Sequence, residues 1–222
     1  MAVGISATNE LDEEAAKRHL HSWLKYHPDY NTIENVSTQD QLDFVEIENA
    51  FNIAHASNPQ DTQVMLALGV LMFIQRNYPK AQEYFTQAIR EDPTNHSFWN
   101  KYGAALAQQM KSEESIKAYE QALDLRPNYV RTIVNLGLSY GNQGNNEQAS
   151  KHFINALVLN PSLDHVKTFL QGSFIKMKRF DLVEKLKGGD YNVFRDDFPD
   201  IIDAKNMPSP SIDRLYEHDI MH

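Results

Sequence analysis

The sequence contains no cysteine, which excludes disulfide scaffolds, thiolate metal sites, thiol nucleophiles and redox switching. Glycine and proline are sparse, with 9 of each in 222 residues, and 41% of the chain is hydrophobic, so collagen-like, linker-like and disordered classes fall away. Positive charge is in deficit: 21 Lys and Arg against 30 Asp and Glu leave a net charge of -9. Such a chain repels phosphate backbones and anionic bilayers, so no nucleic-acid partner is expected. Long apolar runs are missing too. The stretch Val64 to Ile74 is far shorter than the roughly 20 residues a hydrocarbon core demands, so no membrane span is expected. The first residues, MAVGISATNELDEE, lack the basic start and apolar middle of a secretory signal, so a cytosolic chain is expected unless it is carried elsewhere.

Catalytic patterns are equally scarce. The nine histidines scatter, His19 and His21 sit two apart, and there is no H-E-x-x-H pair, phosphate loop or G-x-S-x-G elbow. His218 and His222 are four apart beside Glu217 and Asp219, but they occupy a chain end that frays. Neither an enzyme, a metal site nor a cofactor is expected.

What the sequence does have is a period. Prolines stand at 59, 93, 127 and 161, each 34 residues after the last. Counting each unit so that its proline is position 32, position 8 is Gly69, Gly103 and Gly137, and position 24 is Phe85, Tyr119 and Phe153. Position 20 is Ala81, Ser115 and Ala149, and position 27 is Ala88, Ala122 and Ala156. Two helices that cross closely need small residues where backbones approach and large ones where the gap opens. The pattern is that of tetratricopeptide repeats, which predicts an all-α solenoid.

In the first complete unit the two helices run from about Thr62 to Gln75 and from about Tyr78 to Arg90. Asn77, Lys111 to Ser112 and Asn142 to Asn145 are expected turns. Three complete repeats therefore span 62–161. Residues 1–28 read as the end of a truncated repeat with Gly4 at position 8 and Ala16 at position 20, which points to a piece of a longer array. Residues 29–59 read as a degenerate hinge in which only Gln41 to Ala56 is helical, with Phe44, Ile47, Phe51 and Ala54 on one face. Residues 162–188 suggest a further helix pair, Leu163 to Met177 and Phe180 to Leu186. The segment 189–222 is an acidic tail, 8 acidic against 3 basic residues, in which Ser209 and Pro210 start a short helix expected to pack back on the array.

First helices of stacked repeats line a concave groove, reached by positions 2, 5, 6, 9, 12 and 13. In the second and third complete units these include Asn100, Lys101, Ala104, Arg131, Asn135 and Asn142. Asparagine is a poor residue inside a helix, yet its amide both donates to a peptide carbonyl and accepts from a peptide N–H. Arg131 adds a planar charged fork suited to a free C-terminal carboxylate, and as a cation at a helix start it opposes the helix dipole. A structural reading stands beside this one: asparagine at position 6 also ties neighbouring helices, and Arg131 could be a surface cation.

The runs FWNKYGAALAQQMKSEESIKAYEQALDLRPNYVRTIVNLGLSYGNQG and LALGVLMFIQRNYPKAQEYFTQAI resemble the C-terminal repeats of the peroxin-5 family, import receptors for the type 1 peroxisomal targeting signal. SWLKYHPDY and FVEIENAF resemble that family's hinge. The resemblance implies a groove that binds a C-terminal Ser-Lys-Leu-type tripeptide of peroxisomal matrix cargo. It implies that Arg131 neutralises the terminal carboxylate while Asn100, Asn135 and Asn142 hold the peptide backbone. It also implies earlier repeats upstream of Met1 that supply another asparagine, docking proteins met through regions outside this chain, and cycling between cytosol and peroxisomal membrane. A chaperone-tail clamp, the rival adaptor, uses lysine at position 5 and asparagine at 9. Here those positions hold Leu66 and Val70, then Asn100 and Ala104. A scaffold that binds a folded partner on its convex face is a third reading.

Overall fold

The computed structural model describes residues 13–34, 36 and 42–202. Within them the elements are α1 (Glu13–Tyr26), α2 (Phe44–Ser57), α3 (Thr62–Ile74), α4 (Tyr78–Glu91), α5 (His96–Gln108), α6 (Ser112–Leu125), α7 (Val130–Asn142), α8 (Asn146–Leu159), α9 (Asp164–Lys176) and α10 (Phe180–Leu186). A 3₁₀ turn, Tyr191–Phe194, follows, and no strand occurs among the described residues. The segment from Ser209 onward, with its expected helix and His218 and His222, lies outside the described residues, as does Gly4.

Helices α3 and α4, α5 and α6, and α7 and α8 form three hairpins. Their starts follow from the side chains that precede them. Asp61 Oδ1 accepts the Gln63 and Val64 amides at 2.9 and 3.2 Å, Asn77 accepts from Lys80, and Asn95 accepts from Ser97 at 3.0 Å. At the junction of the first and second helix, Arg76, Met110 and Gly144 all take positive φ, between 60° and 80°. Only one of the three is the glycine that this left-handed conformation favours. Ser112 and Asn142, expected in turns, are instead the first residue of α6 and the last of α7, because the left-handed residue compresses each connection.

Packing inside each hairpin rests on the glycine at position 8. A Cβ at Gly103 would lie 2.7 Å from the Tyr119 ring, and one at Gly137 would lie 2.7 Å from Phe153. Gly69 faces Phe85 in the same way, closer still. The rings themselves are sealed: Phe85, Tyr119 and Phe153 are almost wholly buried, as are Ala81, Ser115 and Ala149 on the same helices. Burial alone drives the Tyr119 phenol well above its ordinary pKa.

The hinge between α1 and α2 has turns instead of a first helix, over residues 28–34. Tyr30 and Val36 are nonetheless buried. The Tyr30 hydroxyl donates to Asp61 Oδ2 at 2.7 Å, and burial together with that carboxylate pushes the phenol up to about 12. His21 donates through Nε2 to the Val36 carbonyl at 3.0 Å, and Trp23 stacks on Phe51 with centroids 5.6 Å apart. Ile47, Ala50, Phe51 and Ala54 form the buried face of α2.

At the other end, residues beyond α10 close the array in a way the lost period did not foretell. Tyr191, Phe194, Phe198 and Ile201 are buried against α8, α9 and α10, with Phe194 5.4 Å from Phe174. Asp197 accepts from Arg179 at 2.5 Å and from Lys185 at 2.8 Å; Lys185 and then Arg179 hold its carboxyl below the usual range. The Ile202 amide donates to Asn155 Oδ1 at 2.8 Å. This segment covers the face that a further repeat would otherwise occupy.

Two outcomes are expected. Gly103→Ala drives a methyl into the Tyr119 ring and should lower stability in urea denaturation by about 1–3 kcal/mol. His152 lies in α8, parallel to the Tyr140 ring at 5.4 Å; burial, and then Lys151, lower its pKa from 6.5 to about 4. Between those values the unfolded chain binds the proton and the folded chain does not, so stability falls as pH drops from about 6.5 towards about 4 and is unaffected above that window. Urea midpoints of the wild type and His152→Gln, measured across that range, should show a flatter profile for the variant.

Candidate functional site

Helices α5 and α7 are the first helices of consecutive repeats and lie side by side. Their contact is polar at its centre. Asn100 Oδ1 accepts the Thr132 hydroxyl at 3.0 Å and the Asn135 amide at 3.2 Å. All three side chains are buried: Asn100 is 3% exposed, Asn135 2% and Thr132 0%. The amides therefore do tie neighbouring helices, as the structural reading held for position 6.

That bond also fixes what Asn100 has to offer a ligand. An amide oxygen has two lone pairs, and both are engaged here, so any further hydrogen bond from this side chain comes from its NH₂. The complementary ligand atom is an acceptor, such as a peptide carbonyl.

Arg131, Asn135, Leu138 and Asn142 recur at helical spacing and form one stripe along α7. Arg131 is partly exposed in the first turn and Asn142 is exposed at the last residue. The 11 positions between them correspond to about 16 Å, roughly the reach of five extended residues. Among the described residues no carboxylate pairs with Arg131, so its guanidinium and the α7 N-terminus present positive charge together. On α5, Ala104 is buried one turn after Asn100, and Lys101 is partly exposed beside it. On α3 the matching positions Leu66, Ala67 and Val70 are apolar and buried, so that wall offers no polar contact.

Two residues of this face escape a reading based on groove positions alone. Thr132, at position 3, points to Asn100 across the repeat boundary; the signal was a β-branched hydroxyl 32 residues after a mid-helix asparagine. Ser97, at position 2 of α5, is 3% exposed and its hydroxyl has no hydrogen-bond partner among the described residues. Its equivalent in the next repeat is Arg131, so the two lie at the same rim. A separate cleft of about 270 Å³ beside α1, lined by Lys17, Arg18, His21 and Lys25, is far along the chain from this stripe and belongs to the hinge.

Asn100→Ala removes the buried acceptor that Thr132 and Asn135 share, so chemical denaturation should show a loss of about 1–3 kcal/mol. Asn142→Ala, at an exposed position, should change stability by no more than about 0.5 kcal/mol.

Comparison with known proteins bears on this arrangement. Tetratricopeptide-repeat family profiles match residues 48–96 and 66–130, and a second profile of the same description matches 130–163. The peroxisomal targeting signal receptor of Eremothecium gossypii is 32% identical over 215 residues, covering 89% of this chain and 38% of the relative. That of Yarrowia lipolytica is 34% identical over 221 residues, covering 89% and 37%. The chain thus spans under two-fifths of the length of these relatives. Among solved structures, the MamA protein superposes with a TM-score of 0.64 at 15% identity, over 83% of this chain and 98% of that one, which speaks to the fold alone.

Proposed function

The chain belongs to the tetratricopeptide-repeat family and is a relative of the peroxisomal targeting signal receptors, and from that premise we propose that its α5–α7 face is a cargo-recognition groove. The cargo is the free C-terminal peptide of a peroxisomal matrix protein, of the Ser-Lys-Leu type. One observation carries the reading: a charged fork and a line of amides share a single stripe of α7, with a third amide locked beside them by Thr132 and Asn135.

The roles follow from chemistry. Arg131 meets the terminal carboxylate, where a guanidinium forms paired charge-assisted bonds and the helix N-terminus adds favourable potential. Asn100 donates its NH₂ to a peptide carbonyl, and Asn135 and Asn142 hold main-chain groups further along. Ala104 leaves room for the peptide backbone to approach, and Lys101 flanks the path. A backbone read by amides accommodates many sequences, while the carboxylate requires that the peptide be a C-terminus. No step makes or breaks a covalent bond, so the reading requires no cofactor. Docking to peroxisomal membrane proteins through regions outside this chain, and cycling between cytosol and membrane, belong to the same proposal. No described helix is long and apolar enough to cross a membrane.

Fluorescence anisotropy with a labelled peptide ending in Ser-Lys-Leu tests it, beside the same peptide amidated at its C-terminus. Binding should be saturable for the free acid and lost for the amide. Arg131→Ala should weaken the free acid by about tenfold or more, since a hydrogen bond to a charged group contributes about 1.5–3 kcal/mol. Equal binding of acid and amide would sink the reading.

A further inference from the structure

In the complete repeats each second helix offers polar groups to the first helix that follows it. Gln82 on α4, at position 21, accepts from Gln109 just past α5 at 2.9 Å, and Glu120 on α6, at position 25, accepts from the Tyr140 hydroxyl of α7 at 3.3 Å. Positions 21 and 25 therefore face the next first helix. On α1, a second helix in the same count, these positions are Lys17 and His21, and the hinge beyond it has turns where a first helix would stand. Val36 and Leu42 take up part of that seat: both are buried, and His21 donates to the Val36 carbonyl at 3.0 Å. What remains open is the cleft of about 270 Å³ beside α1.

The cleft is lined by charge of one sign. Lys17, Arg18, His21, Ser22 and Lys25 of α1 border it, and no carboxylate does so among the described residues. Lys17 is offset by Glu14 at 2.8 Å, whereas Arg18 and Lys25 have no ion-pair partner among the described residues. This set of cations is particular to α1. At positions 21, 22 and 29, where α1 carries Lys17, Arg18 and Lys25, the helices α4, α6 and α8 carry one cation each, Arg90, Lys117 and Lys151. A cleft of this kind focuses its field and concentrates anions locally, even in a chain of net charge -9.

We propose that this cleft is a binding site for a phosphate dianion, free or carried on a small organic phosphate. Arg18, Ser22 and Lys25 recur at intervals of four and three residues and so share one face of α1 about 10 Å long, which two long side chains can span. Arg18 supplies a planar fork for two phosphate oxygens, Lys25 a point charge and Ser22 a hydroxyl donor. Two uncompensated cations suit a phosphate, which carries about -1.5 to -2 at pH 7, better than a single carboxylate. His21 is 6% exposed and held by its bond to Val36, so the inner wall of the cleft is fixed before a ligand arrives. The volume lies just below the roughly 300–1,000 Å³ of pockets that take drug-sized ligands, which favours a compact group.

Isothermal titration calorimetry at about pH 8, where phosphate is a dianion, tests the site with inorganic phosphate, glycerol phosphate and acetate at matched ionic strength. The proteins are wild type, the pair Arg18→Gln with Lys25→Gln, and a control of equal charge loss, Lys176→Gln with Lys178→Gln, both exposed at the α9–α10 turn. Circular dichroism checks that both pairs keep the wild-type helicity. Wild type should bind phosphate saturably at one site, about tenfold or more weakly in the α1 pair and within about twofold of wild type in the control pair. Tighter binding of glycerol phosphate assigns the site to an ester and tighter binding of inorganic phosphate to the free ion, and either supports it. Wild-type heats that never saturate, an equal loss in both pairs, or acetate binding as tightly as phosphate overturns it.

Discussion

The geometry of the array depends on one contact, a backbone glycine against the face of an aromatic ring. At Gly69, Gly103 and Gly137 the absence of a side chain lets Phe85, Tyr119 and Phe153 sit flush on the first helix. The ring sets the distance between the two helices, and the alanine or serine at position 20 lets the second helix come down at the same depth in each repeat. Because the contact is made three times with the same spacing, the first helices repeat in register. That register brings position 5 of one repeat against positions 3 and 6 of the next, where Asn100 meets Thr132 and Asn135.

A buried amide cluster at a helix–helix boundary is costly unless satisfied, and here it is satisfied within the protein. The cluster is at once a fastener between repeats and the floor of the proposed groove. The same bonds that hold α7 to α5 orient the amides, so the groups that would meet a peptide are fixed before it arrives, which lowers the ordering cost of binding. Arg131 has no such internal anchor among the described carboxylates, and the α7 stripe gives it direction.

Much of this was legible in the sequence because the repeat has both a period and a mechanism. The prolines fixed the phase, the small residues located the crossings, and α3 and α10 fall within a residue of the spans expected from periodicity. The groove residues were legible as positions, but their partners were not: nothing along the chain says that Asn100 spends both lone pairs on Thr132 and Asn135, since that is a relation between helices. The C-terminal cap was missed for a different reason. The segment from Gly189 reads as acidic tail, and its buried residues Tyr191, Phe194, Phe198 and Ile201 lie three or four apart without forming an α-helix. The expected packing back falls on a later helix from Ser209, which lies outside the described residues. Of the hinge, the sequence reading expects helix only over Gln41 to Ala56, and the described residues 28–34 form turns; Tyr30 and Val36 are nonetheless buried there, because a phenol and a valine among polar residues carry little periodic signal.

The same hinge decides how the chain carries mechanical load. Elsewhere, neighbouring helices share long seams, so a pull along the array is spread over many side chains. Between α1 and α2 the described chain runs through turns, and the junction is held by the Tyr30–Asp61 hydrogen bond, the His21–Val36 bond, the Trp23–Phe51 stack and the apolar cluster that Leu20, Leu24, Val36 and Leu42 share with Phe51. Among the described residues, then, a load passed along the array meets turns at this junction in place of the continuous helix-on-helix seam found within each hairpin.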